Sequence, residues 1–198
     1  TTLADAGAMS GLGSLTLIKT ITVSSGTSTV SFVDGTSSVV LDNTYPIYKF
    51  EFINIHASNN TTHFSFQANV AGGSGFNETI TSTYFRAFHG ENGVDTGLGY
   101  DGNRDLGQAT GFQELISGIG NDTDGNGNGE LFLFNPSSTT FVTHFMATTV
   151  TSYADEAARR MHVAGYINTT AAIDEIQFKQ SAGNIDSGII KLYGIKDS

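Results

Sequence analysis

The sequence predicts an all-β protein, a two-sheet antiparallel sandwich of the jelly-roll kind, and three observations predict it. Glycine outnumbers proline 24 to 2, and with the many Thr, Ser, Val, Ile and Phe this is the composition of short strands closed by glycine turns. Apolar and polar residues alternate along several runs, most cleanly in Phe64-Ser65-Phe66-Gln67-Ala68-Asn69-Val70. One face of that run is expected to be buried and the other to meet water. Helical periodicity is thin, and no repeat of fixed length points to a propeller or solenoid.

The elements follow in order. Residues 1–13 are small and glycine-rich, with neither strand nor helix period, and read as a flexible N-terminal arm before a single sandwich domain over 14–198. β-branched and aromatic runs predict strands at Ser14–Val23, Thr29–Val33, Ser38–Leu41, Ile47–His56, Phe64–Val70 and Thr79–Phe88. Further strands are expected at Leu131–Phe134, Phe141–Thr149, Met161–Ile167, Ile173–Lys179 and Gly188–Lys196. Turn signals separate them at Ser25-Gly26, Asp34-Gly35 and Gly72-Gly73-Ser74-Gly75, and a glycine-rich excursion runs from Gly90 to Gly111.

Two segments are ambiguous. Gln113–Ile119 suits a strand or a short helix. Ala154–Met161 has acids early and bases late, as a helix macrodipole favours, but reads equally well as a polar loop. Leu131-Phe132-Leu133-Phe134 lacks polar alternation, so it is expected to be buried on both faces, as a central strand covered outside by a loop or a neighbouring subunit. It ends at Asn135-Pro136, because proline cannot donate to a ladder.

Charge and composition narrow the function. A formal net charge of −10, from 19 acidic and 9 basic residues, repels phosphate backbones and anionic membranes, so neither nucleic acid nor membrane is an expected partner. Cysteine is absent, which removes disulfides, thiolate metal sites and a cysteine nucleophile. No run reaches the roughly 18 apolar residues of a membrane span, and the start of the chain lacks the basic and apolar regions of a signal peptide.

Candidate sites are few. Asn121 to Glu130 is dense in oxygen ligands, and Asp122, Asp124, Asn126 and Gly127 match the opening of an EF-hand loop. The twelfth position falls on Leu133, which supplies no side-chain oxygen, so the stretch reads as a turn. His56, His63, His89, His144 and His162 are scattered without metal-ligand spacing, and His144 reads as a hydrogen-bonded structural residue. Gly73-Ser74-Gly75 lacks a nucleophile elbow. Asp155-Glu156 and Asp174-Glu175 are sequence neighbours that cannot be read as a glycosidase pair. The Asn-x-Thr matches at Asn59, Asn60, Asn77, Asn121 and Asn168 are what chance gives in a chain so rich in Asn and Thr. Tyr100 and Tyr153, in expected loops, are the candidates for surface contacts with sugars. No catalytic, cofactor-binding or metal-binding residue is assigned.

Several segments together resemble small jelly-roll virion structural proteins of marine tailed bacteriophages. They are Leu17 to Gly26, Tyr45 to Ile55, Leu133 to Ser138, Ile173 to Phe178 and Ser187 to Lys196, taken in that order. The resemblance implies assembly and surface presentation on the virion: a homo-oligomeric capsid decoration or cement protein bound to the major capsid protein or other virion proteins, partly through its N-terminal arm. A tail fibre or receptor-binding module that holds a host surface glycan or protein is the alternative, and a carbohydrate-binding module a further one. It carries over no catalytic residue, and 90–130 matches no family pattern.

Overall fold

A computed structural model describes residues 14–196; the expected arm at 1–13 lies outside them. Thirteen strands form the fold: β1 (Ser14–Val23), β2 (Thr29–Val33), β3 (Ile47–Ala57), β4 (Thr62–Val70), β5 (Ile80–Gly90), β6 (Thr96–Tyr100), β7 (Gly107–Ala109), β8 (Gln113–Ile119), β9 (Gly127–Phe134), β10 (Thr143–Tyr153), β11 (Ala157–Ile167), β12 (Ile173–Gln180) and β13 (Ile185–Lys196). All their pairings are antiparallel. The ladder runs β1-β13-β3-β9-β10-β8-β4-β12-β2. Its link between β10 and β8 is one residue pair, Tyr153 with Ile119. The path folds over at that point into two layers.

One layer holds β1-β13-β3-β9 and the other β2-β12-β4-β8, and the chain crosses between them at nearly every connection. This is the jelly-roll arrangement, a sandwich of two Greek keys. Two insertions enlarge it. The chain between β4 and β8 makes β5, β6 and β7, and the chain between β9 and β12 makes β10 and β11. The insertions pair with each other along β5 and β11, from Ile80↔Ile167 to Gly90↔Ala157. The larger sheet therefore extends from β1 through β9 and β10 to β11, β5 and β6.

Phenylalanines at alternate positions close the sandwich. Phe178 of β12 stacks on Phe64 of β4 (centroids 5.5 Å apart, planes 7° from parallel) and meets Phe50 and Phe52 of β3 edge-on at 5.1 and 5.2 Å. Phe66 reaches Phe145 across the layers at 5.0 Å. Each of these rings is essentially inaccessible, and such burial stabilises by about 1.5–3 kcal/mol per side chain.

Four expectations need correction. Ser38–Leu41 is not a strand: Ser37 and Ser38 have φ of 52° and 67°, and the backbone bonds locally, Gly35 N–H to Val39 O and Leu41 N–H to Asp34 Oδ1. Val39 and Leu41 are buried as anchors of that loop. Ala154–Met161 contains no helix. Glu156, with φ of 56°, turns the chain back into β11, where Ala157, Arg159, Met161 and Val163 alternate inward. The polar side of β4 does not meet water, because the first insertion roofs it. Ser65, Gln67 and Asn69 are buried, and Gln67 Nε2 lies 2.9–3.2 Å from the carbonyls of Glu78, Thr110 and Gly111. The excursion from Gly90 to Gly111 contains β6 and β7. The ambiguous Gln113–Ile119 is strand β8.

Candidate assembly surface

The run Leu131-Phe132-Leu133-Phe134 occupies the middle of the larger sheet. Leu131 and Leu133 point into the sandwich and are buried. Phe132 and Phe134 point outward and are only half-buried. The expected burial on both faces is therefore half met.

Register extends the patch across neighbouring strands. Phe134 pairs with Ile47 of β3 and His144 of β10, and Ile47 continues to Ile195 and Leu15. In the next row Phe132 lies between Lys49 and Met146, and Lys49 continues to Tyr193 and Leu17. Leu15, Leu17 and Met146 are each more than half exposed, at 53%, 53% and 55%. A sandwich strand facing water ordinarily carries polar residues at these positions. A contiguous apolar band on an outer face marks an interaction surface.

Charges on this face compensate one another. Lys49 Nζ lies 3.1 Å from Glu51 and 2.9 Å from Glu130, with Phe132's ring 5.7 Å beneath it. Burial alone would lower the Lys49 pKa, but the hydrogen bonds and charges of Glu130 and Glu51 outweigh it and hold the ammonium above its ordinary value. Burial pushes Glu51 upward, and its bond to Lys49, together with the Lys49 charge, a bond from Tyr193 and the Lys191 charge, more than reverses that. Lys191 and Arg160 add two cations, and Asp105, at the β6 edge of the same face, adds a third carboxylate, so three cations stand against three carboxylates. This face is near neutral on a chain of net charge −10.

At the far edge, the β5–β6 hairpin carries Phe85, Leu98 and Tyr100 on the same face, 47%, 83% and 54% exposed. Tyr100 therefore does meet solvent, edge-on to Phe85 at 5.9 Å and bonded to Asp105. Tyr153 does not offer an open ring. The Arg159 guanidinium stacks on it at 3.4 Å, and Gly118 lies so close that a Cβ there would overlap the ring.

A polar cluster sits on the opposite side of the widened sheet. Asp101 lies 3.1 Å from Arg86 Nε and 3.3 Å from Arg104 Nε, while Arg104 Nη1 bonds Glu114. His63 lies 3.9 Å from Glu114 and accepts the Gly118 N–H at Nδ1, 2.9 Å. Burial pushes the His63 imidazole below 6.5; Glu114 opposes the shift, and Arg104 and Arg159 add to it. Sequence reasoning missed this cluster, since His63 lies 41 residues before Arg104 and only the fold brings them together. Its groups are engaged in holding the insertion to β4 and β8.

Of the other residues singled out by sequence, the structure brings His56 onto the 121–130 stretch, its Nε2 3.0 Å from Asp122 O, with Asp186 3.3 Å from Nδ1. Residues 121–126 form a turn, with Gly125 N–H on Asp122 O at 2.8 Å and Asn126 Nδ2 on Asp124 O at 2.9 Å. Leu133, the twelfth position, is in the core. Among the described residues no three His, Asp or Glu side chains are grouped to hold a metal ion. His144, expected as a hydrogen-bonded structural residue, is exposed on the outer face, its ring 6.0 Å from Tyr166. Asp174 and Glu175 occupy successive β12 positions, and Glu175 accepts the Asn69 amide at 3.1 Å. Fold and surface together define an all-β jelly-roll sandwich with an uncovered apolar sheet face. No protein-family profile matches the chain, nor does any curated protein or solved structure.

Proposed function

We propose that this chain is a non-enzymatic structural protein of a bacteriophage virion, a decoration or cement subunit that binds the capsid and works by adhesion. The observation that carries the assembly role is the outer face of the larger sheet, where Phe132, Phe134 and Met146 form an apolar centre around an internally paired Lys49–Glu51–Glu130 group. Covering the apolar centre of this face lowers its free energy, because the charges at that centre are already paired with one another. The virion assignment is supported by the ordered likeness of the strand segments from Leu17 to Lys196. Gold-labelled antibody against the chain, applied to intact particles, is expected to decorate the head. Absence of the chain from purified particles refutes the proposal.

The exposed pair Phe85 and Tyr100, with Leu98 beside them, favours a second reading as a tail-fibre or receptor-binding module. Rings that leave one face open stack on sugars. Label on the tail, with glycan binding lost in Tyr100→Ala, supports that reading over decoration.

A further inference from the structure

We infer that the occupant of the outer face is a second copy of this chain, packed sheet against sheet. The inference rests on the assembly role proposed above and names the partner. Charge comes first. With three cations and three carboxylates on this face and a net charge of −10 for the chain, the rest of the surface is strongly anionic. Two copies repel one another through most orientations. Apposition of the outer faces brings together broad regions that are near neutral, in which Lys49, Glu51 and Glu130 are already paired within each copy.

Area points the same way. The eight strands from β1 to β6 present seven spacings of about 4.8 Å, and six residues along β10 add about 20 Å, so the footprint is roughly 34 by 20 Å. That is about 700 Å² in projection for each copy, close to the roughly 800 Å² per partner of a standard stable interface.

Register supplies the complementarity. In a two-fold arrangement with its axis along the strands between β9 and β10, each β9 lies over the second copy's β10, and each β3 over its β11. Phe132 then meets the second copy's Met146. Glu51 meets the second copy's His162, which neighbours Arg160 two positions along the strand. Phe132 and Met146 of the two copies thus form one apolar centre, and Glu51 faces the basic end of β11.

The test is the mass of the full chain in solution, by light scattering and sedimentation at graded concentration. The expected result is at least twice the mass of one chain, with Met146→Lys and Phe132→Glu each weakening association by about 30-fold or more, as a central contact does. Met146 is more than half exposed, so Met146→Lys keeps its fold and circular dichroism even if Phe132→Glu does not. A monomeric wild type overturns the inference, as does an oligomer unmoved by Met146→Lys. If the chain is monomeric but still decorates particles, the second copy is wrong and the assembly role stands. An oligomer that is absent from particles and weakened by Met146→Lys upholds the second copy and overturns the virion role.

Discussion

Gly118→Ala tests how the widened sheet is tied to the jelly roll. Gly118 has φ of 69°, and a Cβ there would overlap the Tyr153 ring that carries the Arg159 guanidinium at 3.4 Å. Holding alanine in the left-handed region costs about 1–2 kcal/mol. Displacing Tyr153 removes a desolvated cation–π stack of about 1–2 kcal/mol, and moving the Gly118 N–H weakens its bond to His63 by about 1 kcal/mol. The expected loss is about 3–5 kcal/mol, read as a lower urea midpoint at unchanged slope. In a Tyr153→Ala background the ring is gone, so the same substitution should cost about 1–2 kcal/mol less. Additivity to within about 0.5 kcal/mol, or a single-variant loss below about 1 kcal/mol, refutes the account of Gly118 as space held open for Tyr153.

Further outcomes follow from other sites. Phe178→Ala, at a ring touching Phe32, Phe50, Phe52 and Phe64, should cost about 4–5 kcal/mol in urea unfolding; a loss below about 2 kcal/mol would show that the sheets do not close on this ring. His63 is held neutral when folded, so below its ordinary value of 6.5 the unfolded chain takes up a proton that the folded chain refuses. Stability should therefore fall as pH drops from about 7 to 5, and His63→Gln should flatten that part of the profile measured by thermal melting. Calcium at millimolar levels should leave the melting temperature unmoved, in wild type and in Asp122→Ala/Asp124→Ala alike, because the turn at 121–126 is closed by its own backbone bonds; a calcium-dependent rise lost in the double variant would restore a metal role.

Strands whose one face is buried and whose other is open were readable, as in β2 and β10, because alternation reports burial directly. β4 misled for the same reason: Gln67 is polar yet buried, and only a covering loop supplied by a distant insertion explains it. Ser38–Leu41 has strand-like residues but bonds to its own turn. The Ala154–Met161 charges mimic a helix's ends, while register with β10 and β5 fixes the chain as strand. The centre of the candidate surface was visible in Leu131-Phe132-Leu133-Phe134, where alternation fails. Its flanks were not, since a register shift between Leu17 and Lys19 decides which β1 side chains face outward. The cluster of His63, Arg104 and Glu114 depends on the insertion folding back, which no local pattern encodes.

The pairing of β1 with β13 sets how the fold answers to force. Ser14 lies opposite Lys196, and the ladder runs from that pair inward to Val23 and Gly188. Tension applied between Ser14 and Lys196 pulls across the strands at one end, so hydrogen bonds break in succession and each carries the load alone. Peeling of this kind yields at low force, whereas pulling lengthwise on both strands would load the whole ladder together. A covering subunit that grips Leu15, Leu17 and Ile195 would clamp the point where peeling begins, converting the weakest line of the isolated chain into a reinforced seam.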